Sequence, residues 1–247
     1  MSVLLAGIAA FLLRDVEMAS LFLGLLLAFV VTHIVLTMGP IRRGLVGRLG
    51  EKGFQAAYSL LSILLLGGAI FAYRALEPYP LWVAPGWAWP LSSALMLAAC
   101  ILFAGSLTPA NKGLAGVPVN ERPASGVMRI TRHPMMWAFA IWAFVHGWLS
   151  GSLPTLILCI GVGILALAGA AHQDHKKRQL LGGIWGRYEA STSFWPLGAQ
   201  IKGRQPWGAL WPGLVPVLAG GALWALLTFL HPMLMQAPMV PPWGVLA

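Results

Sequence analysis

Charge is what this chain has least of. Asp, Glu, Lys and Arg make up 9% of its 247 residues and hydrophobic residues 58%, whereas a soluble domain is about a quarter charged. That poverty excludes a soluble globular protein and leaves an integral membrane protein. Carboxylates are scarcer than cations, seven Asp+Glu against sixteen Lys+Arg, for a net charge of +9. In a membrane chain such an excess reports loop orientation and contact with anionic lipid. No soluble, basic, aromatic-interleaved segment is present to bind nucleic acid. Cysteine is nearly absent: Cys100 and Cys159 both lie inside apolar runs. They exclude a disulfide framework or a zinc spacing and read as small buried side chains. Paired carboxylates, GxSxG, HExxH and phosphate-cradling glycine motifs are also missing, which argues against hydrolase, metalloprotease and nucleotide-driven chemistry.

What is there is apolar sequence broken by punctuation. Six hydrophobic segments run over about Ala19–Met38, Phe54–Tyr73, Leu91–Leu107, Pro134–Leu149, Pro154–His172 and Trp207–Leu230. They predict an all-α, polytopic membrane bundle of about six spans. The third and fourth are near the lower length limit for a span. Met1–Leu13 is apolar but has no basic n-region and is followed by Arg14, Asp15 and Glu17. It reads as a lead-in to the first span rather than a cleavable signal.

Basic residues alternate between loops. Arg42, Arg43, Arg48 and Lys52 follow the first segment; Lys112, Arg122, Arg129 and Arg132 follow the third; Lys176, Lys177, Arg178, Arg187, Lys202 and Arg204 follow the fifth. The positive-inside rule places these loops in the cytoplasm and both termini on the other side. Trp82, Trp87, Trp89 and Trp148 then belong to the outer interfacial belt. The stretch Gln173–Arg204 has soluble character, and its Trp185, Tyr188 and Phe194 suggest short helix lying on the membrane face.

Two polar groups stand out against this background. In Arg129-Ile130-Thr131-Arg132-His133-Pro134, a basic pair and a histidine precede a proline-started span. The unpaired N–H groups of such a helix start suit an anion, and a basic anchor against lipid headgroups suits the residues equally. Asp174 beside these arginines reads as a clamp between the end of the fifth segment and the start of the fourth, paired with Arg129 or Arg132.

The second group is His33 and His146, ionisable side chains at membrane depth, where they are costly and face a partner, a cofactor or water. They lie ~13 Å and ~21 Å along their helices from the flanking basic residues, at 1.5 Å per residue. That mismatch requires a tilted helix, or an Arg129–His133 segment lying below the bilayer, if both are to hold one metal centre. Phe29 and Thr37 share the face of His33, and Trp142 and Ser150 that of His146, at i±4. Bulky rings around one imidazole suit a flat macrocycle or a hydrogen-bonded packing histidine. His231 is expected at the interface, and His172 and His175 among headgroups.

Taken in order, His33 with Gly39-Pro40-Ile41-Arg42, Tyr58-Ser59-Leu60, Arg129-Ile130-Thr131-Arg132-His133-Pro134, Trp142, His146-Gly147-Trp148, Asp174 and Thr192-Ser193 with Pro196 resemble the NnrU family. The resemblance covers about Leu21–Arg204, dividing the chain into a lead-in 1–18, a membrane domain 19–204 with its cytoplasmic segment 173–204, and a C-terminal span and tail 205–247. It implies a bacterial inner-membrane protein associated with nitrogen-oxide metabolism, with a respiratory or redox partner. The zeta-carotene isomerases look like relatives. They imply haem b held by the histidines that match His33 and His146, and isomerisation of an apolar polyene lipid. Where their pattern has a cysteine three residues before the second histidine, this chain has Ala143, which weakens transfer of that mechanism. Arg132-His133-Pro134 with Gly186-Arg187-Tyr188 is also similar to membrane methyltransferases that use S-adenosylmethionine. Their acidic pair is missing here, Asp174-His175 standing in its place. A non-enzymatic assembly factor for a respiratory oxidoreductase is the remaining expectation.

Overall fold

The protein is seen here as a computed structural model that describes residues 2–78, 81–109, 111 and 123–235, with side chains from Asp15 to Met233. Lys112, Arg122 and the tail 236–247 lie outside the described residues, as do Tyr79 and Pro80 of the Pro- and Trp-rich stretch. The architecture is all-α. Among the described residues eight α-helices follow one another: α1 Ser2–Val35, α2 Gly39–Arg74, α3 Ala88–Ser106, α4 Pro134–Ser150, α5 Leu153–Leu181, α6 Gly183–Ser191, α7 Gly198–Ile201 and α8 Leu214–Met235. Short 3-10 turns at Gly126–Arg129 and Trp207–Leu210 precede α4 and α8.

Five helices, α1, α2, α3, α5 and α8, contain stretches long and apolar enough to cross a membrane. The 17 residues of α4 match the shortest spans, about 17 residues. Phe71, Phe144 and Phe229 are 72%, 60% and 69% exposed, a waste of apolar surface in water but the expected outer face of a helix in lipid.

Helix bounds depart from the apolar segments where backbone chemistry overrides hydropathy. Pro40 occupies the first turn of α2, where its missing N–H costs no bond. Arg42, Arg43, Arg48 and Lys52 are thus helical rather than looped. Gly50 breaks α2 at φ 71°, ψ 166°, a conformation open to glycine at little cost. The fifth helix continues past His172 to Leu181 because its polar end remains a good helix former. The last begins at Leu214, not Trp207, since Gly213 takes φ 100° after Pro212. It runs through Pro232 rather than stopping at it.

The chain forms two compact units, Met1–Trp82 with Gly151–Leu165, and Val83–Ser150 with Ala166–Ala247. In the first, α1 packs on α2. Phe22 lies against Tyr73, whose hydroxyl is 2.8 Å from Thr155 Oγ1 at the start of α5. In the second, α3 packs on both α4 and α8. A Cβ added at Gly220 of α8 would lie 2.5 Å from Ile101 Cα, so the two backbones meet where only glycine fits. The second unit's core gathers Ala99, Leu102, Val127, Met128, Ala138, Trp185 and Tyr188. Burial, followed by the nearby Asp174 carboxylate, pushes the Tyr188 phenol up, with Arg132 opposing.

Candidate functional site

The charged cluster lies wholly in the second unit. Pro134 disfavours a helical backbone at His133, the residue directly before it, and residues 131–133 lie outside any helix. Residues 130–132 bond instead to the segment 193–197. Arg132 N–H donates to the Ser193 carbonyl at 2.9 Å and Leu197 N–H to the Ile130 carbonyl at 2.9 Å. Thr131 Oγ1 donates to the Phe194 carbonyl at 2.7 Å, and Trp137 Nε1 donates to the same oxygen at 2.8 Å. The Thr131 hydroxyl also accepts from His133 N–H at 3.2 Å, which satisfies a donor left over at the helix start.

Arg132 and His133 are thereby held 8% and 3% exposed, over Asp174, itself 3% exposed. Arg132 Nε lies 3.0 and 2.9 Å from the two Asp174 oxygens, and its Nη2 bonds the second. His133 Nε2 donates to Asp174 Oδ1 at 2.7 Å. Glu189 of α6 adds a second carboxylate 3.2 Å from Arg132 Nη2 and takes both Nε and Nη2 of Arg178, at 2.8 and 2.7 Å. The carboxylate is thus saturated by two side chains. A buried ion pair with its lone pairs satisfied holds elements together, and breaking it is costly. Arg129 takes no part: its Nε donates to the Ala124 carbonyl at 3.0 Å, and its own carbonyl accepts from Gln200.

The two intramembrane histidines have different company. His33, in the first unit, is half-buried between Phe29 and Tyr58, with ring centroids at 4.5 and 4.9 Å. Its Nδ1 is 3.4 Å from Ser62 Oγ, whose own proton goes to the Tyr58 carbonyl at 2.7 Å. Ser62 therefore accepts from Nδ1–H, and Nε2 is left with its lone pair. In the second unit, His146 stacks on Trp142 at 4.5 Å and 27°. Its Nδ1 is 2.9 Å from the Trp142 carbonyl; a carbonyl only accepts, so Nδ1 carries the proton and Nε2 again has a lone pair. Both rings have one nitrogen oriented by a neighbour and the other a lone-pair donor, the arrangement of a metal-ligating imidazole.

Sequence reasoning did not foresee the surroundings of either. The His231 ring stands 6.1 Å from that of His146. No sequence signal marks that approach, which depends on how α8 is rotated. Tyr58 and Ser62 were legible as an i,i+4 pair, and Arg178 as i+4 from Asp174. His175, at the border, meets Gln179 at 2.9 Å. Among the described residues no group of three or more His, Cys, Asp or Glu is placed to hold a metal ion.

Five apolar helices long enough to cross a membrane, with the 17-residue α4 beside them, define a polytopic all-α membrane protein. The model of the family described as NnrU protein matches residues 21–239, and the chain belongs to that family. It is also similar to two chloroplastic 15-cis-zeta-carotene isomerases. The Arabidopsis thaliana protein is 27% identical over 169 residues, 64% of this chain and 44% of the relative. The Zea mays protein is 31% identical over 104 residues, 40% of this chain and 28% of the relative. The chain thus spans less than half the length of these curated relatives. No solved structure matches it.

Proposed function

We propose that this protein is a haem b-binding inner-membrane protein serving nitrogen-oxide metabolism, with His33 and His146 as iron ligands. The observation that carries the reading is shared by both residues: an Nδ1 proton held by an oxygen acceptor, an Nε2 lone pair, and flanking aromatic rings. Haem, when bound, supplies one-electron chemistry at an iron whose potential follows its axial ligands and their hydrogen bonds. The chain's own part is to fix ring orientation. Ser62 and the Trp142 carbonyl select the tautomer and raise imidazole basicity, while Phe29, Tyr58 and Trp142 exclude water. The basic residues Arg42, Arg43, Arg48, Arg129, Arg132, Lys176 and Lys177 are read as cytoplasmic. Nitrogen-oxide metabolism, with a redox partner, rests on family membership.

A reduced-minus-oxidised spectrum of the purified protein, expressed with haem supply, tests the proposal. A b-type α-band that is lost in His33→Ala and His146→Ala but kept in His172→Ala is expected; no band in the parent protein rejects it. A deletion strain that grows normally on nitrite without oxygen removes the metabolic assignment. The printed names of the two relatives favour a second reading, cis–trans isomerisation of a polyene such as zeta-carotene. Ala143 supplies no thiol beside His146, so any such activity would use imidazole donors alone. Pigment chromatography after coexpression with tri-cis-zeta-carotene decides it, unchanged pigment counting against.

A further inference from the structure

Beside the Asp174 clamp lies a cavity of about 340 Å³ whose lining includes Arg132, Arg178, Lys202 and Arg204, together with Glu189 and Trp195. The two carboxylates at this place, Asp174 and Glu189, are already engaged by Arg132, His133 and Arg178. Four cations against two carboxylates leave two positive charges without a counter-ion. Arg204 Nη1 donates to the main-chain carbonyls of Glu189 and Ala190 at 3.0 and 3.3 Å, which positions its guanidinium without neutralising it. Lys202 forms no ion pair among the described residues. None of the bonds of Arg132 to the carboxylates uses Nη1.

The rim is apolar where a water-facing anion site would be polar. Trp195, in the lining, is 62% exposed, and Ile201, next to Lys202 in the chain, is 72% exposed. Exposed tryptophan among cations is the composition found at headgroup level in membrane proteins. Guanidinium forks fit the paired oxygens of a phosphate, and lysine adds a point charge.

We propose that this cavity binds a phosphate group, carried by an anionic phospholipid or by a water-soluble phosphate. The test uses the full chain in detergent, titrated with dioctanoyl phosphatidylglycerol, dioctanoyl phosphatidylcholine and inorganic phosphate at low and high salt. Saturable, salt-sensitive binding of phosphatidylglycerol is expected. Lys202→Gln should weaken it about fivefold, the worth of one cation at a membrane surface, and Lys202→Glu further. Arg187→Gln, on the same segment but outside the lining, should leave it unchanged. Lys202 is exposed, so an unaltered melting temperature will show that these variants fold. Phosphatidylglycerol bound without competition from inorganic phosphate identifies a lipid headgroup; inorganic phosphate bound as tightly identifies a soluble ligand. Either supports the proposal. Equal binding of phosphatidylcholine, or an unchanged affinity in both Lys202 variants, overturns it.

Discussion

His133 and His146 stand at opposite ends of α4, and their rings meet different chemistry. At the start of the helix, Nε2 of His133 faces a carboxylate that Arg132 also grips, and all three side chains are buried. Near the other end, His146 offers only Nδ1 to a main-chain carbonyl and packs its ring on Trp142. A histidine whose acceptor is a charged, shared side chain contributes to the fold. One held by a neutral main-chain oxygen retains a nitrogen for something else. The side chain is the same at both positions, so the distinction lies in what its bonded nitrogen meets.

Substitutions that separate the two roles follow, strongest first. Asp174→Ala takes from Arg132 and His133 the carboxylate they share, leaving Arg132 only Glu189, and is expected to cost about 3–5 kcal/mol. The readout is loss of monodisperse protein in size-exclusion chromatography and a lowered melting temperature in detergent. His133→Ala removes one charge-assisted bond from a carboxylate that keeps Arg132, for about 1.5–3 kcal/mol. The same thermal measurement should rank it below Asp174→Ala; an equal or larger loss would mean His133 does more than brace the carboxylate. His146→Ala should fold with a smaller thermal shift than either and lose the haem band. If it unfolds the protein as Asp174→Ala does, the contrast between the two ends of α4 is wrong. Ser62→Ala is the mildest: it removes the hydroxyl beside His33 Nδ1, while the main-chain hydrogen bond of the ring to Phe29 remains, and should move the midpoint potential while leaving the band in place. Redox titration reads that shift, as orienting partners tune a ligating imidazole without supplying it.

Much of this was legible in the sequence. The six apolar stretches became helices, five of them long and apolar enough to cross a membrane, because hydropathy over a span-length window outweighs local detail in lipid. Their ends moved where backbone rules act: Pro40 lies in the first turn of α2, which makes the basic residues after it helical, and Gly213 delays the start of α8. Asp174 was placed against the Arg129–Arg132 pair, and Arg132 is the partner. Sequence could not choose between them, since the choice depends on Arg129 turning to Ala124 in the 3-10 turn. Glu189, fifteen residues beyond Asp174, escaped notice because its role needs α6 folded back over Arg132. His231 escaped because neighbouring spans exchange faces through rotation, which hydropathy does not encode.

One carbonyl oxygen sets an order of events during synthesis. That of Phe194 receives both Thr131 and Trp137, from residues 63 and 57 positions earlier. When α4 first leaves the ribosome, these donors have no main-chain acceptor from that strand and must stay with water or lipid headgroups. The start of α4 therefore matures late, after α5 and α6 have been made, and a nascent chain stopped short of Phe194 will hold that turn open to proteases that the finished protein resists.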